Sequence, residues 1–266
     1  MSSSQQAFAQ SDTGTTEIDA ICPKHGAYRA RQMHWPLPDL PPSISNCPLC
    51  VTDRQRMDDE RRREDASRQR AARVSVLKDR SGIPARFAER TLAGYRATTN
   101  SQQRALGIAQ RYVETWGDQA RRGGSLVLTG SPGTGKTHIA CAIASAVIEQ
   151  HLSSALYATV LSAIRHIKST YNREATRTET QAIDDLLRPD LLVLDEVGVQ
   201  FGTEHEKTLL FEILNERYAN CGPVILISNL DAAALESFLG QRLMDRYREC
   251  GVVLAFDWAS HRGAAA

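Results

Sequence analysis

The sequence predicts an α/β fold: a parallel sheet with helices on both faces, built around a phosphate-binding loop. Three observations predict it. The apolar run Ser125-Leu126-Val127-Leu128-Thr129 passes through the turn Gly130-Ser131-Pro132-Gly133-Thr134-Gly135-Lys136-Thr137 into the helical pattern Ile139, Ala140, Ala142, Ile143, Ala146, Val147. A second apolar run, Leu191-Leu192-Val193-Leu194, ends in Asp195-Glu196, the form of a buried parallel strand whose C-terminal end opens at a crevice. Strand-like and helix-like segments then alternate, as crossover connections require.

The chemistry of the first stretch is specific. Glycines let the backbone curl so that successive N–H groups point inward, the following helix N-terminus adds positive potential, and Lys136 supplies a mobile charge for β- and γ-phosphates. Thr137 offers its hydroxyl to magnesium. The two acids at the end of the second run take different roles: Asp195 holds magnesium, directly or through water, and Glu196 orients and deprotonates the attacking water.

A chain of 266 residues is long enough for one sizeable domain and a small appendage. The formal net charge of +1 gives no global electrostatic case for nucleic acid, so such binding would need a local patch. The N-terminus has no basic stretch followed by an apolar core, and no apolar run approaches membrane-spanning length. The expectation is a soluble, cytoplasmic protein with no membrane contact. Of six cysteines, Cys141, Cys221 and Cys250 fall in apolar or helical contexts and are expected to be buried or half-buried thiols rather than a disulfide framework.

In chain order, residues 1–20 are rich in Ser, Gln, Thr and Gly and are expected to be disordered. Residues 21–53 hold Cys22-Pro23-Lys24-His25 and Cys47-Pro48-Leu49-Cys50. These pairs give four zinc donors in a segment too small for its own core, so zinc would act structurally, with all four positions filled by protein. His34 is a possible substitute ligand. Residues 54–80 are dense in both charge signs at three- and four-residue spacing and predict a solvated helix, better suited to a spacer and partner arm than to gripping DNA. Ser81-Gly82-Ile83-Pro84 breaks it and opens the domain 81–266.

Within that domain the pattern Ala105 to Trp116 predicts a helix closing at Gly117, Ala155 to Val160 a strand, Leu161 to Tyr171 a helix and Leu209 to Tyr218 another. Val224-Ile225-Leu226-Ile227 is a further buried strand, after which Asn229 either contacts a γ-phosphate and its water or forms a turn. Arg242 and Arg246, four apart, share a helix face. They face solvent or reach a neighbouring subunit's triphosphate; the spacing is compatible with either.

The segments GSPGTGKTH, DLLVLDEVGVQ, SNL, LGQRLMDRYR and FDWASHR, in this order over residues 80–262, resemble the DnaC-type loaders of the replicative helicase. These are P-loop NTPases of the AAA+ class, and the IstB-type transposition ATPases share the same core. The resemblance implies ATP and magnesium at Lys136, Thr137 and Asp195, Glu196 as catalytic base and Asn229 as a sensor. It implies Arg246, with Arg242 in reserve, as an arginine finger acting across a subunit boundary, and Arg262 as a late sensor-like arginine, without a full helical lid. It further implies self-association, single-stranded DNA contact by Tyr171 and by His205 in the loop after the acidic strand, and docking of a DnaB-type hexameric helicase through the N-terminal region. Transposition control with a transposase partner is the alternative. The two Cys/His pairs depart from the familiar loaders.

Overall fold

Each apolar run noted above becomes a strand of one parallel sheet in the computed structural model, which describes residues 15–35, 41–199 and 203–261. The chain divides into two compact units, 1–69 and 70–266.

In the first unit, strands β1 (Thr15–Cys22) and β2 (Gly26–Met33) pair antiparallel, with Cys22 opposite Gly26, and β3 (Ser43–Ile44) adds antiparallel to β2. The expectation of a disordered segment 1–20 therefore fails from Thr15 onward, because Ile18 and Ala20 alternate with polar residues and supply the inner side of the hairpin. Residues 1–14 lie outside the described residues.

Helix α1 runs Pro48–Asp79, six residues earlier at its start than its charge pattern predicts, with Pro48 opening its first turn and none of its residues buried. The division at 69/70 falls inside this helix rather than at the break after Arg80. The physical reason is that its last turns belong to the second unit: Val74 and Leu77 pack on that unit's core, and Arg70 donates to the carbonyls of Glu149 and Gln150 at 2.7 and 2.9 Å.

The second unit continues with α2 (Asn100–Glu114), α3 (Trp116–Arg122), β4 (Ser125–Thr129), α4 (Lys136–His151), β5 (Ala155–Thr159), α5 (Val160–Lys168), α6 (Glu179–Leu187), β6 (Leu191–Asp195), α7 (Glu204–Ala219), β7 (Val224–Ile227), α8 (Ala232–Leu239), α9 (Gln241–Glu249) and β8 (Gly251–Ala255). Thr99 and Gln102 form a reciprocal capping box at the start of α2. The helix ends at Glu114 rather than at Gly117, which lies inside α3; the stop comes instead at Gly123, in left-handed conformation. The helix expected to reach Tyr171 stops at Lys168 and tightens into a 3₁₀ turn over Ser169–Tyr171.

The sheet order is β5-β6-β7-β4-β8, all parallel. Its strands read as continuous apolar runs because both faces are covered. Val127, Leu192, Leu194, Val224 and Leu226 face one core with α5 to α9, while Leu126, Leu128, Leu191, Val193, Ile225 and Ile227 face the other with α2 and α4. The edge strand β8 was not foreseen, because half of it faces solvent and its pattern is short. Of the three scattered cysteines Cys141 is buried and Cys250 half-buried, but Cys221 is exposed in a left-handed turn. Among the described residues no helix is long and apolar enough to cross a membrane.

Candidate nucleotide and metal sites

Strand β7 lies between β4 and β6, so the loop after β4, the acids after β6 and Ser228-Asn229 after β7 emerge at one edge of the sheet. The loop is fixed to that edge by backbone: Gly130 N–H donates to Leu230 O at 3.1 Å and Ser228 N–H to Leu128 O at 2.9 Å. Gly130 adopts φ 120°, and a Cβ there would lie 2.3 Å from Phe256 O, so only glycine fits.

The loop carbonyls are tied outward. Thr134 O accepts from Trp258 Nε1 at 2.9 Å and from Tyr95 Oη at 3.4 Å, and Gly133 O accepts from His261 N–H at 2.9 Å. In a trans peptide the N–H of the next residue points the opposite way, and the described chain has no cis bond, so Thr134 and Gly135 present their N–H groups away from these anchors. Lys136 is 4% exposed, and its Nζ donates to Gly130 O at 2.5 Å and Ser131 O at 2.8 Å. A buried ammonium satisfied by the carbonyls of its own loop is a cation poised for an anion in the same cradle.

Across the edge, Asp195 is 7% exposed and accepts from Thr137 Oγ1 at 2.8 Å. Its Oδ2 also accepts from Tyr157 Oη at 2.9 Å, and its Oδ1 from Glu196 N–H at 2.7 Å. Glu196 is exposed and sits at φ 64°, a left-handed backbone that non-glycine residues adopt at a cost and that clusters at functional sites. Asn229 is exposed just past the end of the neighbouring strand β7. Lys136, Thr137, Asp195 and Glu196 thus form one constellation with a carboxylate and hydroxyl suited to magnesium and an ammonium suited to phosphate.

Arg242 and Arg246 are not brought to this constellation. Arg242 is exposed on α9, while Arg246 donates to Asn215 Oδ1 at 2.5 Å and lies 5.1 Å over the Tyr218 ring. Tyr171, 47% exposed, and His205 meet each other, Tyr171 Oη lying 3.1 Å from His205 Nε2. His205 belongs to the first turn of α7 rather than to a loop, because Thr203, two residues before it, caps the helix. Arg262 lies outside the described residues.

In the first unit Cys22, His25, Cys47 and Cys50 place one donor atom each within 4.8 Å of the others. Cys22, Cys47 and Cys50 Sγ lie 3.7, 3.8 and 3.3 Å from His25 Nδ1, and the Sγ atoms of Cys22 and Cys50 are 3.4 Å apart. A zinc tetrahedron with Zn–S of about 2.3 Å and Zn–N of about 2.0 Å has edges of about 3.5–3.8 Å, so the donor set and its spacing fit that ion. The Lys24 backbone N–H draws the Cys22 thiol down to about 6, and the hydrogen bond with Cys22 pushes Cys50 up to about 11. A divalent cation bound among these donors would displace the thiol protons. His34 is exposed and outside the group.

Sequence reading missed the supports of both sites. Asp53 Oδ2 lies 3.1 Å from His25 Nε2 and 2.5 Å from Lys24 Nζ, the placement a carboxylate needs to orient a histidine whose other nitrogen would hold a metal. Its spacing of three from Cys50 on α1 was the available signal. Tyr157 and Tyr95 carry no local signal, and Trp258, though part of the FDWASHR segment, is given no role by it, since only the folded chain brings the three to the loop and to Asp195.

A family model described as IstB-like ATP binding protein matches residues 58–247. The replicative helicase loader DnaC of Buchnera aphidicola subsp. Acyrthosiphon pisum (strain APS) is 31% identical over 194 residues, covering 73% of this chain and 77% of that protein. The DnaC loader of Escherichia coli (strain K12) is 32% identical over the same shares. A crystal structure of the DnaC helicase loader superposes with a TM-score of 0.59 at 26% identity, covering 65% of this chain and 99% of that one.

Proposed function

The chain belongs to the IstB-like ATP-binding protein family and to the family of the DnaC replicative helicase loaders, and on that premise we propose that it is an ATP-driven loader of a hexameric helicase onto single-stranded DNA. The observation that carries the reading is the 2.8 Å contact between Thr137 and Asp195, which joins the glycine turn and the acidic strand into one site.

In this reading Lys136 leaves its loop carbonyls for the β- and γ-phosphates, and the N–H groups of residues 130–137 cradle the rest of the triphosphate. Thr137 and Asp195 hold magnesium, which when bound neutralises phosphate charge. Glu196 takes the proton of the attacking water and Asn229 orients that water or the γ-phosphate. Arg246 completes the site of a neighbouring subunit, with Arg242, the more exposed of the two, as its alternative. Tyr171 and His205 offer a joined ring surface on which a single-stranded base stacks. Cys22, His25, Cys47 and Cys50 hold a structural zinc, and residues 1–80 dock the helicase in the cytoplasm.

The test is paired. Lys136→Ala is expected to abolish ATP binding, whereas Arg246→Ala spares binding and loses turnover; full turnover in the latter removes the finger assignment. Pull-down of the replicative helicase by the full chain, lost on deleting the first unit, residues 1–69, supports the loader; no association of the full chain ends it. The IstB-like family match favours a second reading, a transposition regulator assembling on DNA, which capture of a transposase in place of the helicase would establish.

A further inference from the structure

We propose that Tyr157 is a positioning residue of the nucleotide site, its phenol holding the Asp195 carboxylate in the orientation that receives the magnesium of a bound nucleotide. The inference rests on the ATP-binding reading above and adds a residue that neither motif contains.

Three donors converge on Asp195: Thr137 Oγ1 and Tyr157 Oη on Oδ2, and Glu196 N–H on Oδ1. A carboxylate has about four lone-pair sites, so these donors fill all but one and leave the free one on Oδ1. The three are not equally fixed. Thr137 follows directly on Lys136, whose contacts with Gly130 and Ser131 must break when phosphate enters. Glu196 holds a left-handed backbone.

Tyr157 instead comes from β5, which pairs in register with the acidic strand, Tyr157 opposite Val193 and Thr159 opposite Asp195. Its backbone is clamped from the other side: its N–H donates to Ser81 O at 2.7 Å, and Gly82, at φ 64°, sits so close that a Cβ would lie 2.6 Å from Tyr157 O. A phenol carries its proton at neutral pH and a carboxylate has only acceptor sites, so across the 2.9 Å contact Tyr157 donates and Asp195 accepts. Of the two hydroxyls on β5, Thr159 caps the next helix and Tyr157 goes to the Asp195 carboxylate. Outer-shell partners of this kind fix the orientation of a ligand and tune its affinity.

Tyr157→Phe removes the donor while keeping the ring and the backbone clamp to Ser81. The measurement is equilibrium binding of a fluorescent ATP analogue to the full chain, titrated with magnesium chloride. In the variant the magnesium half-saturation point is expected to rise about tenfold, with binding in EDTA unchanged. Asp195→Asn, expected to lose the magnesium dependence outright, sets the scale. A purely structural role would weaken binding equally with and without magnesium, and that result, or an unchanged half-saturation point, overturns the proposal. If wild-type protein does not bind the analogue at all, the nucleotide reading fails and takes this one with it; binding that shows no response to magnesium overturns this proposal alone.

Discussion

The two units of this chain solve the problem of stability in opposite ways. Among the described residues of the first unit the buried apolar side chains are Cys22, Ala30 and Cys47, two of which belong to the Cys/His group. The second unit buries two continuous clusters, one on each face of its sheet. Burial at about 25 cal/mol per Å² supports the second without help. The first has almost nothing to bury, so in the zinc reading proposed above its strands depend on a cross-link at the end of the hairpin. On that proposal metal chemistry holds one unit, and packing holds the other.

That contrast breaks most sharply under metal removal. A strong chelator, or Cys47→Ser, is expected to unfold β1 to β3 completely while the second unit keeps its unfolding midpoint. Backbone amide spectra with zinc content by mass spectrometry check this, and a first unit intact without metal would erase the distinction.

The converse test strikes the second unit alone. Arg217 is 2% exposed, and its guanidinium donates to the carbonyls of Leu187, Pro189, Asp190 and Pro223 at 2.6–3.3 Å, pinning the starts of β6 and β7. Burial lowers its pKa to about 10 without discharging it at neutral pH. Arg217→Met orphans buried acceptors and is expected to cost about 3 kcal/mol or more in denaturant unfolding, with zinc content unchanged.

Smaller effects sharpen the comparison. Thr99→Ala, which deletes one side of the capping box on α2, is expected to cost about 1 kcal/mol of the second unit's stability. Asp53→Asn should leave zinc bound but accelerate its loss to a chelator, because His25 would lose its charged partner. An equal release rate would remove Asp53 from the site.

The resemblance was legible in motifs, and those motifs were legible because each needs particular residue types in a fixed local order. A glycine turn entering a helix and a strand ending in acids cannot be disguised by context. The hairpin β1–β2 was not legible, because its alternation is weak and its polar side faces water. Strand β8 was missed for the same reason. From sequence His205 reads as loop, because the threonine cap before it carries no apolar signal.

By itself, the sequence determined the parallel α/β class, the phosphate turn at Lys136, the acids at Asp195 and Glu196, and the four Cys/His donors. Each of these is written in residues close together in the chain or in paired spacings. Only the tertiary structure decided that β7 separates the turn from the acids, that Thr137 meets Asp195, that Tyr157 reaches the same carboxylate, and that Arg246 turns to α7 instead. Those facts depend on strand order and register, which follow from how two apolar faces pack together, and no local pattern encodes that.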